Sequence, residues 1–309
     1  MDEEVPVDDS IGPRSLEIVT VIFALGILLF LLRIYTRVVP TYKLNTSDYM
    51  IMIAVAEIIT YSLFAAAVAN GFGRHNYFIT PAAGTRILKL LFGVVFTGLW
   101  VSTFARLSIA YLLYSFTPST AWRTVLWFVI GFQVATLLTS EIFQLLECRP
   151  VSAMWEPVLD AKCMAREDTW VIGYVFSATS MFSDLTLTII PMFLIWSLSR
   201  HILERFLIAV LMGLGLFATI ATVMKVVHMK TSDFSSPDTF RAAMPIFLWC
   251  RIEECLIVAA ASAPLLKAPI ERGLHRLGFP TFQNSARELD SLDSVRTTPK
   301  GPFVRFARA

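Results

Sequence analysis

The stretch from Trp170 to Trp196, WVIGYVFSATSMFSDLTLTIIPMFLIW, decides the fold. It is longer than the roughly 20 apolar residues that a helix needs to cross a bilayer. Its one charged side chain, Asp184, lies near the middle. A carboxylate at that depth costs about 2.5–3.5 kcal/mol on insertion scales, so it should face the interior of a bundle and have a partner there. The run therefore predicts a membrane helix with a polar inner face.

Apolar runs of similar length recur along the whole chain. Hydrophobic residues make up 56% of the sequence and charged residues 16%, whereas soluble domains carry roughly 25% charge. Transmembrane β-strands are excluded because they show alternating segments of about 10 residues. The sequence predicts an all-α bundle of seven transmembrane helices, at roughly 16–36, 49–69, 88–115, 123–146, 169–196, 206–227 and 244–266.

Charge outside these runs predicts the domain organisation and the orientation. We assign residues 1–15 to an acidic extracellular or lumenal N-terminus, 16–270 to the membrane domain and 271–309 to a basic, mostly disordered cytosolic tail. More Lys and Arg fall on the side of the tail, which places that side in the cytosol. The sequon at Asn45 should then stay without sugar. The prediction is a multi-pass protein of the plasma membrane or an endomembrane.

The cysteines and the net charge narrow the chemistry further. Cys148 and Cys163 share one short loop on the oxidising side, which favours a disulfide worth about 3 kcal/mol; two free thiols are the alternative. Cys250 and Cys255 lie in an apolar helix and are expected to be packing residues. The scattered histidines predict no metal site, and no cofactor is expected. A net charge of +2 gives no reason to expect a nucleic-acid partner.

Ionisable residues inside the runs are the candidate functional groups. Glu57, Arg106, Asp184 and Glu253 lie at similar depth on four helices, and we predict one cluster around a cavity, a ligand or proton site. Three acids share one arginine, so burial and like charge favour one protonated acid. Arg251 and Glu254, three residues apart, are expected to pair locally. The alternative is a cluster of ion pairs that only fixes helix register.

Seven helices alone also suggest a photoreceptor, which the lysines argue against. A retinal protein needs a lysine inside the seventh helix for a Schiff base. Lys267 follows Pro264 at the cytosolic end of that helix, and Lys225 is predicted near the outer end of the sixth. The sequence therefore predicts a non-retinal protein.

An ordered set of segments resembles the fungal rhodopsin-domain family of seven-helix membrane proteins, over roughly residues 16–270. The resemblance implies the fold and a membrane location, but no settled activity; some members belong to the satratoxin gene cluster and others are receptor-like. Two positions depart from the family pattern: Ser47-Asp48 replaces two acids, and Arg106 replaces a common lysine. The matching segments are LRIYTR (32–37), SDYMIM (47–52), ARLSIAYLLYSF (105–116), ECRPVSAMW (147–155), FSDLTLTIIPMFLIWSL (182–198) and WCRIEECLIVAAASAPLLKAP (249–269).

Two functional interpretations stay open at this point. In the first, the protein senses a small lipophilic molecule and contacts membrane lipid and a cytosolic signalling partner. In the second, it is a membrane-embedded acid/base enzyme of secondary metabolism that opens an epoxide, cyclises or isomerises its substrate. A transporter is less favoured because the sequence shows no repeat.

Overall fold

The computed structural model describes residues 8–38, 49, 51, 56–116, 119–196, 202–232 and 238–263. Some sequence predictions concern residues that lie outside these ranges. They are the basic tail at 271–309, the bare sequon at Asn45 and the positions of Pro264 and Lys267.

Seven α-helices follow one another in the described part of the chain, as the apolar runs predict. Tyr49 and Ile51, ahead of the second helix, are also helical. A two-stranded antiparallel ribbon, β1 (Cys148–Arg149) and β2 (Lys162–Cys163), lies between the fourth and fifth helices. The helices are α1 (Gly12–Val38), α2 (Glu57–Ala69), α3 (Pro81–Phe116), α4 (Thr120–Leu146), α5 (Arg166–Trp196), α6 (Ile202–Thr231) and α7 (Thr239–Ser262).

Several helices extend beyond the apolar runs that predict them. Helix α1 begins at Gly12 instead of residue 16, and α3 begins at Pro81 instead of residue 88. Pro13 and Pro81 both lie in a first turn, where proline loses no hydrogen bond and its fixed φ suits the helix. Helix α6 continues to Thr231, past the predicted end at residue 227. The first and last turns of these helices contain polar residues, so a search for apolar runs misses them.

The outer surfaces of the helices are apolar. In the described part of the chain, five helices are long and apolar enough to span a membrane by themselves: the segments Gly12–Tyr35, Pro81–Ser115, Thr120–Leu146, Arg166–Met192 and Ala209–Thr231. Large apolar side chains such as Val21, Leu25 and Leu28 on α1 are exposed. Exposed apolar faces around buried charges are the arrangement that a bilayer requires.

Helices α3 and α7 hold the bundle together. Helix α3 packs against α2, α4, α5 and α7, and α7 packs against α1, α3 and α6. One apolar core includes Phe64, Ile87 and Met244, and another includes Ala105 and Ile257. On α7, the polar stretch 250–255 lies between the segments that enter these two cores. The candidate site is therefore a polar layer between two apolar ones.

The loop after α4 is closed by a disulfide between Cys148 and Cys163, which confirms the predicted bridge. The two residues pair across β1 and β2 with their Cα atoms 4.0 Å apart. Inside the loop, Trp155 packs on Phe92 of α3 with ring centroids 5.4 Å apart. The bridge thus holds this loop against the end of the bundle that carries the start of α1, named here the N-terminal face.

An ionic clasp on the N-terminal face joins the segment before α1, the loop after α2 and the start of α7. Arg74 donates to both carboxylate oxygens of Asp8, at 2.6 and 2.5 Å. Arg241 donates to both oxygens of Asp9, at 2.9 Å each. His75 lies between Asp238, 2.7 Å away, and Asp9, 3.2 Å away. The described part of the acidic N-terminus is therefore bound to two basic segments.

We expect this clasp to weaken in acid. The hydrogen bond from His75 lowers the pKa of Asp238, and the hydrogen bond from Arg241 lowers the pKa of Asp9. A carboxyl whose pKa is lowered on folding stabilises the protein above its usual pKa of 3.8, and this contribution is lost as the pH falls further. In nanodiscs at pH 5, the thermal unfolding midpoint of D9N/D238N should be a few degrees below that of the wild type. The difference should be small because exposed ion pairs contribute little. The gap between the two proteins should narrow as the pH falls below 3.8; a gap that stays constant would contradict this.

Candidate ligand-binding site

Arg106 of α3 joins three helices at the centre of the polar layer. Its Nε and Nη2 donate to Asp184 of α5 at 2.8 and 3.1 Å, which is a bidentate fork. Nη2 also donates to Glu253 of α7 at 3.0 Å and to Ser180 of α5 at 2.6 Å. All three charged side chains are about 95% buried. Each acid therefore has a strong cationic partner inside the bundle.

Lys225 of α6 completes this group and brings in a fourth helix. Its Nζ donates to Oε2 of Glu253 at 3.0 Å. The other oxygen, Oε1, accepts from Ser180 at 2.6 Å as well as from Arg106. We call these residues the central cluster: Arg106, Ser180, Asp184, Lys225 and Glu253. Two carboxylates face two cations among its described side chains, so the cluster is neutral with both acids ionised.

The structure brings together three of the four predicted site residues, Arg106, Asp184 and Glu253. It corrects the fourth, because Glu57 lies elsewhere and bonds to Cys255, whose Sγ is 3.4 Å from Oε1. It also corrects the predicted excess of acid in the central cluster. Lys225, predicted near the outer end of its helix, lies nearly two turns inside α6 and supplies the second cation.

Glu57 belongs to a second group of charges next to the central cluster. Arg251 Nη2 donates to Oε1 of Glu254, which confirms the predicted local pair. Glu57 interacts electrostatically with this arginine across the α2–α7 interface. A Cβ added at Gly98 of α3 would lie 2.5 Å from Arg251 Nη2, so a glycine lets the pair sit against the α3 backbone. This second group carries two acids and one arginine among its described members.

A cavity of about 140 Å³ borders both groups of charges. Arg106, Lys225 and Glu253 line one side, and Arg251 and Glu254 line another. Helices α3, α4 and α5 contribute hydroxyl and amide side chains to the rest of the wall: Ser102, Thr103, Gln133, Thr136, Ser140, Ser177, Ser180 and Ser183. We call this space the polar cavity.

Some of the groups that line the polar cavity are available to a ligand. Gln133 is 3% exposed, and its Nε2 has no hydrogen-bond partner among the described residues. Within the same part of the chain, Nε and Nη1 of Arg251 also lack one. A buried donor left unpaired costs about 1–3 kcal/mol. These donors therefore favour a guest that presents hydrogen-bond acceptors, either water or the polar group of a ligand.

A small second cavity lies on the far side of Asp184. It measures about 20 Å³ and is lined by Asp184, Thr188 and Gly215, among others. Thr188 Oγ1 donates to the carbonyl oxygen of Asp184 at 2.7 Å. The space is about that of one water molecule. The central cluster thus separates a larger polar cavity from a very small one.

Sequence reasoning missed further polar residues that the structure buries in the bundle. Arg33 of α1 is fully buried, and its Nη1 donates to the carbonyl oxygen of Ala261 on α7 at 2.6 Å. Ser180 of the central cluster was also missed. Serine gives little sequence signal, because it is common in membrane helices with its hydroxyl bonded to the preceding turn. The position of Ser180 four residues before Asp184 is the signal that places both on one helix face.

The fold and the buried charges define a multi-pass membrane protein with an internal polar site. The model of the fungal rhodopsin domain matches residues 32–272, and the chain belongs to this family. Its helices and its match to the family agree on a seven-helix membrane fold.

Relatives of the chain come from fungal biosynthetic gene clusters. It is 26% identical over 235 residues to Fugralins biosynthesis cluster protein 2 of Gibberella zeae, with 72% of this chain and 57% of the relative aligned. It is 23% identical over 286 residues to Polyenoic acids biosynthesis gene cluster protein Ba17b of Metarhizium anisopliae, with 87% of this chain and 76% of the relative aligned. The chain thus spans little more than half the length of the first relative. No solved structure matches it.

Proposed function

We propose that this protein binds and senses a small molecule within the membrane, in connection with secondary metabolism. The supporting observation is that Arg106 borders the polar cavity and at the same time bonds to α5 and α7. A ligand that accepts hydrogen bonds from the cavity wall competes for the same donors. Its binding then changes the bonds that hold α5, α6 and α7 together.

The central cluster suits a switch better than a catalyst. Both carboxylates already accept charged hydrogen bonds from Arg106 or Lys225, so their oxygens are occupied by protein donors and not open to a substrate. A cluster shared by four helices has alternative pairings, and a ligand with different affinity for two of them shifts the population. Relatives named for biosynthetic clusters support the link to metabolism.

A membrane-embedded acid/base enzyme is the second candidate, and the second group of charges favours it. Glu57 and Glu254 share one arginine, and Glu254 lines the polar cavity. Two carboxyls beside a single cation provide an acid and a base in one site. In this case the reaction would take place at Glu254 and not at Glu253.

Alleles of the native gene distinguish the two candidates. We expect E253Q, at wild-type membrane levels, to lose the transcript response to the fungus's own metabolite extract, while no biosynthetic intermediate accumulates. E254Q should keep most of that response. The matched control is E156Q, which removes an exposed partner of Lys89 outside the bundle. Accumulation of an intermediate in E254Q with an intact transcript response would favour the enzyme instead.

A further inference from the structure

A second, larger chamber lies between the polar cavity and the N-terminal face. Its volume is about 330 Å³, within the range of about 300–1,000 Å³ that is typical of small-molecule pockets, whereas the polar cavity is smaller than this range. Apolar side chains of α3 and α7 form most of its wall, including Leu88, Leu91, Phe92 and Phe240. We call this chamber the vestibule.

The vestibule and the polar cavity share part of their walls. Val95 of α3 and Phe247 of α7 line both spaces. Phe247 is held from behind by Phe72, with ring centroids 5.5 Å apart and the rings nearly perpendicular. The two spaces are therefore adjacent at these two side chains.

Besides Thr239, whose hydroxyl accepts from Asn76, the polar side chains that line the vestibule are Gln144 and Glu147. Nε2 of Gln144 on α4 donates to the carbonyl oxygen of Phe92 at 3.2 Å. Its Oε1 is buried and has no hydrogen-bond partner in the described part of the chain. Glu147 lines the same wall just after α4, and burial raises the pKa of its carboxyl. An unpaired acceptor in an apolar chamber selects for a guest with a donor.

The disulfide loop completes the chamber. Met154 from this loop lines the vestibule next to Phe92, on which Trp155 packs. Lys89 holds the same loop through Glu156 at 2.5 Å. The disulfide loop therefore forms the outer wall of the vestibule, and Phe247 lies at its inner wall beside the polar cavity.

We propose that the vestibule binds a small amphiphile through a hydroxyl or amine that donates to Gln144 Oε1, and that Val95 and Phe247 form the gate from the vestibule into the polar cavity. The proposed function is the basis only for what a ligand does once it has passed this gate. The experiments that test the vestibule and its gate measure occupancy of the vestibule and access to the polar cavity, and they use no transcript or metabolite readout. Failure of one proposal therefore does not imply failure of the other.

Cys250 reports access to the polar cavity. Its thiol lines that cavity one helix turn beyond Phe247, whereas Cys255 is 2% exposed. Full-length protein in lipid nanodiscs is treated with methyl methanethiosulfonate, a small neutral thiol reagent, and the Cys250 adduct is followed by mass spectrometry. Labelling of Cys255 in the same sample detects variants that have unfolded.

Gate variants give the first result. We expect F247A to speed Cys250 labelling about tenfold, which corresponds to about 1.4 kcal/mol less barrier, and A243F, which fills the vestibule, to slow it about as much. If Cys255 labelling rises in F247A, V95A replaces it. The competing path runs sideways between α4 and α5, where Phe143 packs on Phe176 at 6.0 Å. Faster labelling in F143A with no change in the gate variants would overturn the proposal.

Protection by simple amphiphiles tests the chemistry of the chamber. We expect decanol and decylamine to slow Cys250 labelling severalfold and decanoate to leave it unchanged, because the unpaired Gln144 Oε1 only accepts hydrogen bonds and a carboxylate has none to donate. The protection by decanol and decylamine should be lost in Q144L/E147L. Equal protection by all three amphiphiles, or protection that persists in Q144L/E147L, would show an effect of the bilayer and overturn the assignment.

Discussion

R106M should leave little folded protein. The substitution removes the cation that pairs with Asp184 and one of the two cations that pair with Glu253. Breaking a buried ion pair by removing one partner costs about 3–5 kcal/mol, out of a total stability of about 5–15 kcal/mol. Methionine keeps most of the volume, so the loss reports charge and hydrogen bonding. The measurement is the fraction of monodisperse protein that survives a temperature series in detergent or nanodiscs.

Companion variants separate charge from packing at this position. R106K keeps the charge but loses the bidentate fork, and it should fall between the wild type and R106M. R106M/D184N removes one charge of each sign and leaves Lys225 with Glu253, so it should recover part of the loss. E156Q, on the exposed pair with Lys89, should have almost no effect. A double variant no better than R106M would show that the ion pair does not stabilise the fold.

C148S/C163S should be the next most damaging change. The bridge closes a loop with a sequence separation of 15, and a loop of that size stabilises by about 3 kcal/mol in the chain-entropy model. For a domain of this size we expect the unfolding midpoint to fall by roughly 6–12 °C. The loop also forms the outer wall of the vestibule through Met154. Thermal unfolding with and without reductant measures the effect.

The reductant provides an internal control for this experiment. The wild type should shift toward C148S/C163S when the bridge is reduced, while C148S/C163S itself should not respond. C250A, which removes a thiol outside the bridge, should keep the full response to reductant. A wild type whose midpoint is insensitive to complete reduction would contradict a stabilising role for the bridge.

The apolar runs predict the helices well because a bilayer leaves the backbone few alternatives. A segment in hydrocarbon must satisfy its own N–H and C=O groups, so a long apolar run outside a barrel is a helix. The ends are harder, since polar turns such as those at Pro81 and Thr231 remain helical beyond the apolar run. The error at the end of α6 had a consequence, because it made Lys225 look peripheral.

The central cluster could be predicted only in part. The apolar runs indicate how deep a side chain lies in the membrane, but not toward which neighbouring helix it points. Arg106, Asp184 and Glu253 are single charges in mid-helix, and their shared depth predicts that they meet. Glu57 is also a single charge in an apolar run, but it meets Cys255 and Arg251 of α7 instead of Arg106. Only helix packing decides which face of the bundle a side chain enters, and packing is not visible in one sequence. Lys225 was not predicted to join the cluster, because it lies far from the centre of the predicted helix.

The charges of α7 bear on how the chain enters the membrane during synthesis. This helix carries Arg241, Arg251, Glu253 and Glu254, and over its described residues it is not among the five segments apolar enough to span a membrane alone. At about 2.5–3.5 kcal/mol for each central charge, the translocon would not release it into lipid unaided. We expect insertion of α7 to be favoured once the earlier helices present Lys225 as a partner for Glu253. A nascent chain stopped before α7 would leave Lys225 without Glu253, whereas Arg106 would keep Asp184 as its partner.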